Sequence, residues 1–266
     1  MELLITPDQL RFLRERAAVV VFHASMGPHP PTQVIRGAYV ADLEGDFSDA
    51  SDPLPHTVPH QIQEVFASYG VSEDTPVVIY DSDGATAARI WWLARVAGVR
   101  DVALLDGGLN AWVSAGGDLC APQDKPATPG SFLSSPTWSL LVDADEVERT
   151  DRTVVDARSH DRFTGAVEEP RPGLRCGHIP GSRNVPYTEV YNPDGTFKTP
   201  EELAKLFPDD HLVFSCGSGV TACVDAFAAT LAGRKDLVVY EGSWSQWGRP
   251  DSGREIATKS DEVGRH

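Results

Sequence analysis

One stretch of this 266-residue chain occurs twice, at a constant offset along the sequence. The segment VVIYDSDGATAA begins at Val77, and its counterpart LVFSCGSGVTAC begins at Leu212. Placing Asp81 opposite Cys216 sets the offset at 216 − 81 = 135. The same offset aligns further residues without a gap: Gly84 with Gly219, Thr86 with Thr221, Ala87 with Ala222, Asp106 with Glu241, Gly107 with Gly242 and Trp112 with Trp247. This constant register indicates that a whole α/β unit has been duplicated.

A segment rich in Pro, Ser, Thr and Gly separates the two copies. It reads APQDKPATPGSFLSSPT, from Ala121 to Thr137, and shows neither helical nor strand periodicity. Such a composition is typical of a linker. We therefore predict a first domain over residues 1–122, a linker over 123–136, a second domain over 137–255 and a C-terminal tail over 256–266.

Each copy alternates short apolar strands with helices. In the second copy we predict strands at Thr153–Asp156, His211–Ser215 and Leu237–Tyr240, and an Ala-rich helix at Val220–Ala232 that ends at Gly233. In the first copy we predict strands at Val77–Tyr80 and Val102–Leu105, and a helix near Ala85–Ala97 that ends at Gly98. This alternation predicts the α/β class, with two tandem domains, each a parallel sheet with helices on both faces. In such sheets the ligand site lies in the loops at the carboxyl ends of the strands.

The charge balance and the cysteines narrow the possible functions. The chain carries 39 acidic and 23 basic residues, a net charge of −16, without a basic patch of the kind that binds nucleic acid. No apolar run approaches the roughly 20 residues of a membrane span, and the N-terminus MELLITPDQL does not read as a secretory signal. The four cysteines form no CxxC pair, so we expect no metal site. Few cysteines in an acidic chain of this size are typical of a cytoplasmic protein.

Cys216 lies where the topology predicts chemistry, directly after the strand LVFS and directly before a helix. The connecting segment CGSGVTA has two glycines, which allow the backbone amides to point towards a common centre. These amides and the start of the helix would stabilise an anion, and hence the reactive thiolate of Cys216. The alternative is that Cys216 is a small buried residue in a tight turn.

The other cysteines and the first copy provide an internal control. Asp81 occupies the position of Cys216 in the first copy and is not a sulfur nucleophile, so we expect the first copy to act as a scaffold and as one wall of the site. Cys223 falls within the predicted helix and is expected to be packed there. Cys120 and Cys176 belong to no motif and receive no role.

A long polar segment before the loop supplies candidate cations. It runs from Asp156 to Gly181 and contains Arg158, Arg162 and Arg171. The planar fork of arginine is suited to a carboxylate or sulfonate. For each arginine, the alternative is a salt bridge to a neighbouring acid: Asp156, Asp161, Glu168 or Glu169.

The motifs resemble those of the rhodanese superfamily. The resemblance is carried by DARxxxRFxG and EPRPGxRxGHIPGSxNVP between Asp156 and Pro186, and by EGSW at Glu241 to Trp244. It covers nearly the whole chain, since the first half is similar to the inactive domain of tandem members. The loop CGSGVTA resembles that of the 3-mercaptopyruvate sulfurtransferases, whereas thiosulfate sulfurtransferases typically have a more cationic loop. Here Gly217 and Ser218 stand where that loop has its Arg and Lys.

The resemblance implies roles for particular residues. Arg162 and Arg171 match positions that bind the substrate carboxylate. The cradle around the cysteine matches Ser218, expected to be catalytic with Cys216, and the loop residues Gly217, Gly219, Val220 and Thr221. His56, in PLPH, matches a histidine that assists proton transfer, with Glu44 or Asp42 as its acidic partner.

The resemblance also implies a reaction. Cys216 takes sulfur from 3-mercaptopyruvate as a persulfide, and a thiol, such as that of a thioredoxin-like protein, or cyanide removes it. No cofactor is implied. The close alternative is thiosulfate as the donor. A cysteine phosphatase would need an Arg after five intervening residues, where this chain has Ala222. A sulfur carrier or regulatory binding module is the non-enzymatic alternative.

Overall fold

The apolar segments of both halves form parallel strands in the computed structural model, which describes residues 1–258. Tertiary contacts divide the chain into two compact units. Of the described residues, the first unit contains 1–51, 58–138 and 192–197, and the second contains 52–57, 139–191 and 198–258. The predicted domain limits stay predictions, and residues 259–266 of the predicted tail lie outside the described part of the chain.

The first unit contains a five-stranded parallel sheet. Its strands and those of a small antiparallel pair are β1 (Leu4–Ile5), β2 (Val20–Ser25), β3 (Val34–Ile35), β4 (Ala38–Asp42), β5 (Val77–Tyr80), β6 (Val102–Leu105) and β7 (Leu119–Cys120). Its helices are α1 (Pro7–Arg16), α2 (Ile62–Ser68), α3 (Thr86–Ala97) and α4 (Gly108–Ser114). The sheet order is β1-β6-β5-β2-β4, and β3 pairs with β7.

The second unit repeats this sheet. Its strands are β8 (Leu141–Val142), β9 (Thr153–Asp156), β10 (Arg183–Asn184), β11 (His211–Ser215) and β12 (Asp236–Tyr240). Its helices are α5 (Ala144–Glu148), α6 (His160–Phe163), α7 (Pro200–Leu206), α8 (Ala222–Leu231) and α9 (Ser243–Trp247). The order β8-β12-β11-β9-β10 is that of the first sheet, with β11 in the place of β5 and β12 in the place of β6. The predicted duplication is therefore confirmed at the level of topology.

The predicted α/β class is confirmed, because both sheets are parallel and their central strands are buried on both faces. All four residues of β5 are 0% exposed, although successive side chains of a strand point to opposite faces. Helix α3 ends at Gly98, whose φ of 94° is left-handed and suits glycine. Helix α8 is followed by Gly233 in the same conformation, at φ 84°.

The predicted linker forms no helix or strand but is attached to the first unit. The Gly130 amide donates to the Ala67 carbonyl at 2.8 Å. The amides of Leu133 and Ser134 donate to Oε1 of Glu73 at 2.9 and 2.6 Å, and the Ser134 hydroxyl donates to the same oxygen at 2.6 Å. These hydrogen bonds, from Ser134 first, lower the pKa of Glu73 to about 2. The Glu73 carboxylate thus attaches residues 133 and 134 of the linker to the first unit.

No helix within residues 1–258 has the length and apolar character needed to cross a bilayer.

Candidate active site

Cys216 is held through its backbone by helix α9. The Cys216 amide donates to Oγ of Ser243 at 3.1 Å, and the Cys216 carbonyl accepts from the Trp244 amide at 2.9 Å. The Ser243 hydroxyl in turn donates to the carbonyl of Tyr240, at the end of β12, at 2.8 Å. The Cys216 side chain is 2% exposed. Its position is therefore set by the ends of two adjacent strands, as the topology predicts.

Helix α9 also binds the loop that follows Cys216. The Gly217 carbonyl accepts from both the amide and the hydroxyl of Ser245, at 2.9 and 2.7 Å. Gly219 has a φ of 76°, in the left-handed region. Within residues 1–258, the amides of Ser218, Val220 and Thr221 donate to no protein acceptor. Such unsatisfied amides at the start of a helix are available to an anion.

Arg162 lies beside this loop. A methyl group at Gly217 would come within 3.0 Å of Nη2 of Arg162. The fork of Arg162 is partly engaged already, because its Nε and Nη2 donate to the Glu169 carboxylate at 3.2 and 2.6 Å. The salt bridge that was the alternative for this arginine is thus present together with the contact to the loop.

Arg158 is a structural residue of the second unit. Its side chain is 0% exposed, and it donates to both oxygens of Asp156, to Glu169 and to the Gly177 carbonyl. Its guanidinium lies 4.3 Å from the ring centroid of Trp244. Glu169 therefore joins a buried arginine to the partly exposed Arg162, a link that the sequence did not reveal.

Arg171 approaches the same loop from the exposed part of the segment. Its Nη1 donates to Oγ of Ser245 at 3.3 Å, and Ser245 is the residue that holds the Gly217 carbonyl. The second unit thus brings Cys216, the predicted loop residues and both predicted arginines together. The sequence analysis did not identify Ser243 and Ser245 as supporting residues. Ser243 lies within the EGSW motif, and Ser245 directly follows it.

His56 belongs by its contacts to the second unit and Glu44 to the first. His56 is 7% exposed, and its φ of 61° is unusual for a residue other than glycine. Oδ1 of Asp42 accepts from the Glu44 amide at 2.9 Å. The pairing of His56 with Glu44 or Asp42 stays a prediction.

The corresponding loop of the first unit binds its own side chain. Asp81 accepts from the Gly84 amide at 3.0 Å through Oδ1 and from the Ala87 amide at 2.7 Å through Oδ2. Burial raises the pKa of Asp81, and the neighbouring Asp83 acts in the same direction. The amides of this loop are therefore satisfied by the carboxyl group of its own Asp81.

Asp225 is a further acid near Cys216 that the sequence analysis missed. It lies in the first turn of α8 and is 0% exposed, among apolar neighbours in the sequence ACVDAFAATL. A charged residue in an otherwise apolar helix was the signal that could have identified it.

The comparisons with known proteins agree with this geometry. The family model for the rhodanese-like domain matches residues 31–115 and 141–249. The 3-mercaptopyruvate sulfurtransferase of Rattus norvegicus is 39% identical over 228 residues, which cover 80% of this chain and 76% of the relative. The thiosulfate sulfurtransferase of the same organism is 36% identical over 231 residues, with 81% and 77% covered.

A solved structure shows the same fold. The structure of SseA from Escherichia coli, described as a 3-mercaptopyruvate sulfotransferase with the rhodanese fold, is 30% identical. The match has a TM-score of 0.77 and covers 92% of this chain and 99% of that chain. With two matched domains that together span most of its length, this chain belongs to the rhodanese family.

Proposed function

We propose that this protein is a 3-mercaptopyruvate sulfurtransferase and that Cys216 carries the transferred sulfur as a persulfide. The observation that carries the proposal is the position of Cys216 at a loop with unsatisfied amides, next to Arg162 and Arg171. The assignment also draws on the rat relative of that name.

The first half-reaction follows from this arrangement. The Cys216 thiolate attacks the sulfur of 3-mercaptopyruvate, so that a sulfur–sulfur bond forms and the carbon–sulfur bond breaks. The electron pair of the broken bond goes to the methylene carbon, which takes the proton of the donor thiol, and pyruvate leaves. The persulfide that remains is an anion, and the amides of Ser218, Val220 and Thr221 are available to stabilise it.

The two arginines support a carboxylate-bearing donor. Arg162 and Arg171 flank the loop, whereas Gly217 and Ser218 place no charge inside it. Arginine forks beside the loop, with no cation within it, suit a donor whose anionic group is several bonds away from its reactive sulfur, as in 3-mercaptopyruvate. In thiosulfate the charge lies next to the transferred sulfur. Thiosulfate is the second candidate, since a relative named for it is 36% identical.

The second half-reaction needs an acceptor. We propose that a thiolate, from a small thiol or a thioredoxin-like protein, or cyanide attacks the outer sulfur and releases the Cys216 thiolate.

We also propose a cytoplasmic location, because none of the four cysteines forms a disulfide within the chain.

Steady-state kinetics with both donors test the proposal. We expect a higher kcat/KM with 3-mercaptopyruvate than with thiosulfate. Intact mass after donor treatment should show one added sulfur on the wild type and none on Cys216→Ser, which should retain the wild-type circular dichroism. A Cys216→Ser enzyme that still transfers sulfur would exclude the mechanism. A higher kcat/KM with thiosulfate would make thiosulfate the proposed donor in place of 3-mercaptopyruvate.

A further inference from the structure

The carboxyl group of Asp225 lies in the interior of the second unit without a hydrogen bond. The residue is 0% exposed, and neither carboxyl oxygen has a hydrogen-bond partner among residues 1–258. An ionised carboxylate in such a place loses its hydration and gains nothing in return, whereas the neutral acid loses much less. The surroundings therefore favour the protonated form of Asp225.

The nearby groups act in the same direction. Burial raises the pKa of Asp225 well above its ordinary value, and the negative charges of Cys216, Asp156 and Glu189 raise it further. Cys216 follows β11, Asp156 ends β9, and Glu189 lies in the 3-10 turn Tyr187–Val190. Arg158 is the cation beside Asp156. It is already bonded to Asp156 and Glu169.

Two further elements, α7 and β12, pack against α8. The charged residues of α7 are exposed, and Asp236 lies at the start of β12, at the opposite end of the sheet, where it binds Arg152 and His211. The remaining titratable group of β12, Tyr240, is buried, which raises its pKa and keeps it neutral. These elements therefore offer no charge that would stabilise an Asp225 carboxylate.

The coupling between Asp225 and Cys216 is reciprocal. If the negative charge of the sulfur opposes ionisation of Asp225, a negative charge on Asp225 opposes the anionic sulfur by the same free energy. The persulfide carries its charge on the outer sulfur and is subject to the same repulsion. In the state competent for sulfur transfer, the pair of Asp225 and Cys216 therefore carries one negative charge, and that charge is on the sulfur.

We propose that Asp225 is a positioning residue for the reactive charge: it keeps its proton while the sulfur of Cys216 is anionic, and loss of that proton as the pH rises slows sulfur transfer. Its effect on the reaction is exerted through Cys216, without contact to the donor.

Infrared spectroscopy tests the protonation state directly. A neutral carboxylic acid has a carbonyl stretch distinct from the carboxylate bands. The wild-type spectrum at pH 7 minus that of Asp225→Asn should contain this stretch, free from any contribution of the buried Asp81. The exposed Glu201→Gln is the matched control and should remove no such band. A difference spectrum without an acid band would overturn the proposal.

The reciprocity is tested with Cys216→Ser, which cannot form a thiolate. Its acid band should disappear at a lower pH than the band of the wild type, because the opposing charge is gone. Asp81 lies in the other unit and contributes to both proteins, so only the Asp225 band should differ between them, and the comparison stands even if Asp225→Asn fails to fold. Equal pH values for the two proteins would contradict the coupling.

The kinetic test rests on the proposed function. We compare kcat/KM of Asp225→Asn with that of the wild type at each pH, so that ionisation of the donor and acceptor cancels in the ratio. From its value at pH 6, the ratio should rise by about tenfold towards pH 10, since only the wild type gains the second charge. The ratio for Glu201→Gln should stay level. A level ratio for Asp225→Asn would overturn the kinetic role, while an enzyme that uses another donor would show the same pH dependence with that donor.

Discussion

At the scale of single residues, the two predicted substrate-binding arginines differ in how they are held. Glu169 binds the Arg162 fork through two hydrogen bonds, so this cation is fixed but partly neutralised. Arg171 is exposed and, among residues 1–258, makes one hydrogen bond of 3.3 Å, to Ser245. Most of the hydrogen-bond donors of Arg171 are thus available to a substrate carboxylate. Substitution of Arg171 should therefore affect mainly the complex with substrate.

We expect Arg171→Ala to lower kcat/KM for 3-mercaptopyruvate by roughly ten- to a hundredfold, the effect of losing one charged hydrogen-bond partner. Arg171→Lys keeps the charge but loses the fork and should recover only part of the activity. Arg249→Ala, which removes an exposed arginine paired with Asp251, is the control and should remain near the wild-type value. If the kinetics of Arg171→Ala were close to those of the control, Arg171 would not be a substrate-binding residue.

Cys223 differs from Cys216 in its surroundings. It is 0% exposed within α8, and its thiol donates to the Gly219 carbonyl at 3.2 Å. We expect Cys223→Ala to cost about 1 kcal/mol in the free energy of unfolding, from one lost weak hydrogen bond and a small cavity. Sulfur transfer should change little. Urea unfolding and steady-state kinetics measure both effects, and a loss of turnover as large as that of Cys216→Ser would identify Cys223 as a second reactive thiol.

At the scale of elements, the loop between β11 and α8 sets the charge beside the nucleophile. Introducing a cationic loop with Gly217→Arg and Ser218→Lys should narrow or invert the donor preference, because thiosulfate would gain a cation next to its sulfur. A Cβ at position 217 would come to 3.0 Å from Nη2 of Arg162, so the guanidinium, which Glu169 holds, must shift slightly. The ratio of kcat/KM for the two donors is the measurement.

Ser218→Lys alone separates charge from crowding, since it leaves Gly217 and the position of Arg162 undisturbed. It should move the donor ratio in the same direction by a smaller factor. If the double variant changed the ratio and Ser218→Lys did not, displacement of Arg162 would be the cause.

Regular elements were predictable because local signals agree with the fold. Strands β5, β6, β9 and β11 were predicted with their observed limits, and α3 and α8 to within two residues, since short apolar runs and helix-ending glycines define them. The polar segment between β9 and β10 shows no period. Its order comes from hydrogen bonds of the buried Arg158 and the partly buried Arg175 to carbonyl groups far along the chain, which no local pattern reveals.

The candidate site was predictable in part. The loop around Cys216 and the two arginines follow from motifs whose spacing is visible in the sequence. The role of Glu169 as a link between two arginines depends on side-chain directions, and the burial of Asp225 depends on α8 being covered on nearly all sides. A helix buried all round has no polar face from which the exposure of an acid could be judged.

At the scale of the whole molecule, the chain consists of two copies of one sheet topology, and one copy also carries the linker. The Glu73 carboxylate binds three donors from residues 133 and 134. Its lowered pKa of about 2 means that these bonds stabilise the folded state above the ordinary range of a glutamate. That stability is lost as the pH falls from about 4.5 towards 2.

We therefore expect the amides of Leu133 and Ser134 to exchange slowly at neutral pH and faster at acidic pH, after correction for intrinsic exchange. In Glu73→Gln the protection should be weak at both pH values. Hydrogen-exchange mass spectrometry measures this, with Glu64→Gln, an exposed change on α2, as the control. Equal protection in Glu73→Gln and the wild type would show that other contacts hold the linker.

The Asp81 carboxyl in the loop of the first unit has a pharmacological consequence. Its oxygens lie 3.0 and 2.7 Å from the Gly84 and Ala87 amides, so this loop shows how long a side chain it accommodates. In the matching loop, Sγ of Cys216 takes the place of Cγ of Asp81. A carboxymethyl group on Cys216, as iodoacetate leaves, would end two atoms further out than the Asp81 carboxyl and would not reproduce its hydrogen bonds. We therefore expect covalent inhibitors that add a single atom beyond Sγ to match this loop better than carboxymethylating reagents.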